Sequence, residues 1–93
     1  MTVEAIRKKI ISVLKEYPVN RVLLFGSRAA GTNREDSDVD LIVEFSEPVS
    51  LLTLSDMRVR LSEALNLDVD LIHGPVRDTD LLEIEKVIEL YAA

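Results

Sequence analysis

The chain has 93 residues, 47% of them apolar and 30% charged, with no cysteine and a formal charge of -6. That length is expected to hold one domain over residues 1–93, with a single modest core and no separate substrate-binding domain, and the apolar content excludes intrinsic disorder. The lack of cysteine excludes disulfides, thiolate zinc sites and cysteine nucleophiles, and the acidic balance argues against direct nucleic-acid binding, which rests on Lys and Arg.

Behind Thr2 as a candidate N-cap, Val3, Ile6, Ile10, Val13 and Leu14 recur at helical spacing and predict a first helix that ends before Pro18. Arg21 to Phe25 is a short apolar run between Asn20 and Gly26, the pattern of a central strand covered on both faces. Ser27 to Ala30 starts a short helix, and Gly31 to Ser37 is a polar loop. Asp38 to Phe45 then alternates, with Asp38, Asp40, Ile42 and Glu44 on one side and Val39, Leu41, Val43 and Phe45 on the other. Past Ser46-Glu47-Pro48, Leu51, Leu54, Met57, Leu61 and Leu65 form another helical stripe, with Ser50 as its candidate cap. Leu67 to Ile72 reads as a third strand, His73 as a turn residue before Gly74-Pro75, and Leu81, Ile84, Val87, Ile88 and Tyr91 as a terminal helix beginning near Thr79.

The expected fold class is α/β (α+β), a small mixed sheet of three to four strands backed by helices on one face, with its acidic face left open. Surplus apolar surface on so small a domain would mark a subunit contact, homo- or hetero-oligomeric. No apolar run approaches the ~18 residues of a membrane span, and the first residues lack the order of a signal peptide, so a cytoplasmic protein is expected.

The chemistry is concentrated in Gly26-Ser27-Arg28-Ala29-Ala30-Gly31 and Ser37-Asp38-Val39-Asp40-Leu41. Asp38 and Asp40 lie one strand step apart, so both project from one face with Cα atoms roughly 6 to 7 Å apart. Paired carboxylates repel unless a cation offsets them, and Mg2+ is typically held by one or two carboxylates together with substrate phosphates. Asp70, between Val69 and Leu71, would supply a third ligand or a base if its strand neighbours the second; Asp68 competes for that place from an earlier position. Gly26 ends an apolar strand where a side chain would obstruct a phosphate, Ser27 offers an N–H and a hydroxyl, and Arg28 extends toward further phosphate oxygens. A P-loop is excluded because Thr32 and Asn33 stand where Lys and Ser/Thr are required, and an EF-hand because Leu41 takes the place of its glycine.

Taken with Val69-Asp70-Leu71, these runs resemble the signature of the DNA polymerase beta-like nucleotidyltransferases, and most strongly the stand-alone minimal nucleotidyltransferases of prokaryotes. The resemblance covers nearly the whole chain and implies the minimal form of that fold. It implies transfer of a nucleoside monophosphate, most simply AMP from ATP or another NTP, with Mg2+ in two sites. Carried onto this sequence, Gly26 and Ser27 contact the triphosphate while Asp38, Asp40 and Asp70 form the metal-binding triad. The family further implies a HEPN-type toxin as protein partner, neutralised by AMP transfer to a tyrosine or by binding. The chain departs from the pattern at Ala30, where the family often has Arg, so one phosphate or partner contact is missing. Two rival functions are a non-catalytic antitoxin that masks its partner by contact, and an antibiotic nucleotidyltransferase, which would need a further domain or subunit to form its pocket.

Overall fold

The computed structural model describes residues 1–75 and 86–93. Helix α1 (Val3–Leu14) begins where the Thr2 hydroxyl accepts a hydrogen bond from the Ala5 N–H at 3.1 Å, and it buries Ile6, Ile10, Val13 and Leu14. After Pro18 the chain enters β1 (Val19–Phe25), passes through the single turn α2 (Ser27–Ala30), and returns in β2 (Val39–Phe45). Ser50 caps α3 (Leu51–Leu65) by accepting from the Thr53 N–H at 3.1 Å, and Asn66 ends it in the left-handed conformation. Strand β3 (Val69–His73) follows, and β4 (Ile88–Ala92) closes the described chain.

The four strands form one mixed sheet in the order β3-β2-β1-β4. β1 pairs antiparallel with both β2 and β4, while β3 joins β2 in parallel, with Val39 opposite Val69 and Asp40 opposite Asp70. The helices cover one face. There Ile6, Ile10, Met57, Leu61 and Leu65 pack against Val22, Leu24, Val39, Leu41, Val43, Val69 and Leu90. Each fully buried aliphatic side chain contributes about 1.5–3 kcal/mol, so this one layer holds sheet and helices together.

Three expectations need correction. The terminal helix fails over Ile88–Ala92, which is the strand β4; its proposed start near Thr79 lies outside the described residues. The run Ile88-Glu89-Leu90-Tyr91 satisfies a two-residue period as well as a helical one, and pairing satisfies the backbone groups of that edge of β1 while burying Leu90. His73 is the last residue of β3 rather than a turn residue, its ring 5.3 Å from that of Phe45. The face opposite the helices is closed at its centre, where Leu23 and Ile42 are 3% and 1% exposed, rather than open throughout; Ile72 beside Ile42 is 44% exposed.

Strand bounds also shift. β1 begins at Val19, two positions before the apolar run, because Val19 is buried and pairs with Phe45. β2 begins at Val39, which leaves Asp38 just outside the ladder. Leu51 and Leu52 are the most exposed large apolar side chains among the described residues, at 81% and 83%, and stand at the start of α3. No helix among the described residues is long and apolar enough to cross a membrane.

Candidate active site

β1 runs straight into the Gly26 turn. Gly26 has φ 75° and ψ -155°, a region that residues with a Cβ rarely enter. A Cβ built there would also run into Asp40 Oδ2 and lie 3.3 Å from Asp40 Cγ. Asp40 stands opposite Phe25 in the antiparallel register, so its carboxylate lies against the bare backbone of the turn. Glycine is therefore required by the approach of a carboxylate as well as by its own dihedral angles. The Gly26 carbonyl accepts from the Ala29 and Ala30 N–H groups at 3.1 Å each, which winds Ser27 to Ala30 into α2. Gly31, at φ 79°, ends that turn, and Ala30 is exposed on it.

The parallel register places Asp70 beside Asp40. Asp40 is half-buried, whereas Asp38 and Asp70 are exposed. Its carboxyl is held above the ordinary carboxylate range, first by burial, then by the charge of Asp70 and a hydrogen bond to it, and last by the charge of Asp38. Asp38 therefore borders a pair that the sheet itself builds. Among the described residues no three acidic or histidine side chains are already gathered into a metal cage. The donors nonetheless suit Mg2+: they are hard carboxylate oxygens, crowded against one another beside a turn with no side chain. Asp68 lies elsewhere. It precedes β3, its carbonyl accepts from the Val39 N–H at 2.9 Å, and it lines a groove of about 530 Å³ with Asp36, Arg58, Ser62 and Glu63.

Arg28 departs from its expected place. Its side chain is 4% exposed and turned into the loop before β2, where Nε and Nη2 donate to the Ser37 carbonyl at 3.1 and 2.8 Å. Nη2 also donates to the Glu35 carbonyl at 3.0 Å, so the guanidinium is occupied by backbone rather than extended toward a ligand. Tyr17, three residues past the end of α1, bridges to α3. Its hydroxyl donates to Asp56 at 2.5 Å and accepts from Arg60 at 3.3 Å. Burial, then the hydrogen bond to Asp56 and its charge, push that phenol up to about 12.

A small-residue turn ending β1, with paired carboxylates on the next two strands of the sheet, β2 and β3, is an arrangement for holding a polyphosphate and a divalent cation together. The family described as Polymerase beta, Nucleotidyltransferase matches residues 8–90. This chain belongs to that nucleotidyltransferase family. It is 38% identical over 93 residues to "Putative protein adenylyltransferase MJ0435" of Methanocaldococcus jannaschii, covering 95% of this chain and 100% of that one. It is 37% identical over 76 residues to protein adenylyltransferase MntA of Thermococcus cleftensis, covering 77% of each. A crystal structure described as a toxin-antitoxin with AMP-PNP contains a chain with the same fold, at a TM-score of 0.77 and 26% identity, covering 94% of this chain and 73% of that one.

Proposed function

We propose that this protein transfers AMP from ATP to a hydroxyl of a partner protein, and thereby acts as the antitoxin of a HEPN-type toxin. The observation that carries the reading is the Asp40–Asp70 pair set by the β2–β3 register against the Gly26-Ser27 turn. The names of the relatives and the AMP-PNP in the matching toxin-antitoxin structure support it. ATP as donor and the cysteine-free sequence suit a cytoplasmic setting.

In this reading Gly26 gives the triphosphate close access to backbone, and the Ser27 N–H and hydroxyl hold its oxygens at the first turn of α2. Asp38, Asp40 and Asp70 would hold Mg2+, in two sites, which when bound offsets the triphosphate charge and lowers the pKa of the acceptor hydroxyl. Asp70, the exposed member of the pair, would orient the acceptor hydroxyl toward the α-phosphorus. The acceptor oxygen forms a bond to that phosphorus as pyrophosphate leaves, and its proton passes to the carboxylate cluster or to water.

Incubating the protein with its purified partner, Mg2+ and each NTP in turn, followed by intact mass measurement, tests this. The partner is expected to gain one or more AMP units with ATP. No mass gain, with neutralisation of the toxin intact, would replace catalysis by contact.

A further inference from the structure

Asp40 and Asp70 are held by the sheet: both are strand residues whose neighbours Val39, Leu41 and Val69 are buried in the core. Asp38 is tied to the sheet on its C-terminal side alone, where the Val39 N–H donates to the Asp68 carbonyl at 2.9 Å. It lies one residue before β2, at the end of a polar loop whose own hydrogen bonds are few: Thr32 N–H to the Ser27 carbonyl, Asn33 Nδ2 and Ser37 N–H to the Arg34 carbonyl, and Arg34 N–H to Ser37 Oγ. On the N-terminal side of Asp38 the remaining grip on that loop is Arg28. Its Nε and Nη2 converge on the Ser37 carbonyl, the oxygen of the same peptide plane that contains the Asp38 nitrogen. Nη2 also holds the Glu35 carbonyl, so two of the three residues before Asp38 are tied to α2.

This arrangement is costly as mere packing. A guanidinium is 4% exposed with carbonyl oxygens as its hydrogen-bond acceptors among the described residues, and its Nη1 has no partner there. A buried donor left without an acceptor is penalised by the loss of its hydration. The fork geometry of Arg explains the choice, because two donors on one carbonyl fix the direction of the peptide plane, whereas a Lys ammonium pins a point.

We propose that Arg28 is the positioning residue for Asp38: it sets the Ser37–Asp38 peptide plane and so aims the Asp38 carboxylate at the cation shared with Asp40. The proposal rests on the reading of Asp38 as a metal ligand. Arg28 thereby links the phosphate turn, one residue away at Ser27, to the carboxylate that is not on a strand.

The test uses the full chain with Mn2+ and AMP-PNP as probes, counting free Mn2+ by electron paramagnetic resonance. Arg28→Lys is expected to weaken Mn2+ binding by about 10- to 100-fold, the usual effect of losing a group that orients a metal ligand. In the AMP-transfer assay kcat should fall in parallel while KM for ATP changes by less than about threefold, since Arg28 does not touch the nucleotide. On an Asp38→Asn background Arg28→Lys should cost nothing further, because residues acting through one another are not additive. A folded Arg28→Lys with wild-type Mn2+ affinity, or one whose full loss recurs on the Asp38→Asn background, overturns the proposal. Should the variant fail to fold, the wild-type amide of Asp38 decides by 15N relaxation: an order parameter near 0.85 supports the clamp and one below about 0.6 overturns it. If Asp38→Asn itself binds Mn2+ as wild type does, the underlying site reading falls separately.

Discussion

At the C-terminal end of β2, Glu44 lies 3.4 Å from Arg21, which also holds Glu89 at 2.9 Å, so a cation on the neighbouring strand offsets two carboxylates. At the N-terminal end of the same strand and on the same face, Asp40 stands beside Asp70 and near Asp38, and among the described residues no Lys or Arg pairs with them. The strand thus carries acids in both places and treats them oppositely. One end is a finished ion pair network on the surface; the other is a repulsion that the fold maintains by register. Groups whose charge is left uncompensated at one end of an otherwise balanced face are what a cation-dependent site requires.

Replacing acids at the two ends should separate them most sharply. Asp40→Asn and Asp70→Asn are each expected to lower AMP transfer by about a thousandfold, as when several kcal/mol of charge stabilisation is lost. Glu44→Gln should leave it within a fewfold, and intact-mass time courses at saturating ATP make the comparison. Gly26→Ala comes next: it is expected to cost about 1–3 kcal/mol in denaturant unfolding through its dihedral angles, and to displace Asp40 as well. Mg2+ at ten times its Kd should stabilise the wild type and Glu44→Gln by about 1.4 kcal/mol in thermal melts, and leave Asp40→Asn unmoved. The smallest effect belongs to Arg21→Met. Exposed pairs contribute less than about 1 kcal/mol, and the loss should shrink further in high salt.

Acidity gives an independent contrast. The folded Asp40 carboxyl is raised above its unfolded value of about 3.9, so the native state binds its proton more tightly than the unfolded chain does. Its contribution to stability is fully present below that unfolded value and is lost as pH rises through the folded one. In chelator-treated protein, the stability difference between wild type and Asp40→Asn should therefore move against wild type on going from acid to neutral pH. Chemical unfolding of both across that range measures it.

The apolar periods revealed most of the core because burial repeats with the element: Ile6, Ile10, Val13 and Leu14 of α1, Met57, Leu61 and Leu65 of α3, and Val39, Leu41 and Val43 of β2 are buried, whereas Leu51, at the start of the α3 stripe, is 81% exposed. Gly26, Ser27, Asp38 and Asp40 were legible because local spacing alone brings them to one turn and one strand end. What local spacing cannot supply is a neighbour. That Asp70 rather than Asp68 stands beside Asp40 follows from a parallel register in which Val39 and Val69, both buried beneath the helices, lie opposite each other. The second reason for Gly26, the approach of Asp40, exists only once β1 and β2 pair. Arg28 looked like a ligand arm because its charge follows the turn; only the folded loop shows the carbonyls that take it. The strand β4 was hidden because five residues satisfy two periods, and the vacant edge of β1 decides between them.

The turn from α3 into β3 has a consequence for how such proteins can vary. Asn66 reverses the chain at φ 55°, Leu67 N–H returns to the Ser62 carbonyl, and Val69 N–H to Ser62 Oγ, so the phase of β3 is set where the helix stops. Since strand side chains alternate, one residue added or removed between Asn66 and Val69 would turn Asp70 into the core and bring an aliphatic side chain up beside Asp40. The spacer therefore works as a ruler graduated in pairs of residues. Length changes there are expected to be tolerated in even steps or not at all, whereas the loop after β2, which measures nothing for the carboxylates, is free to drift.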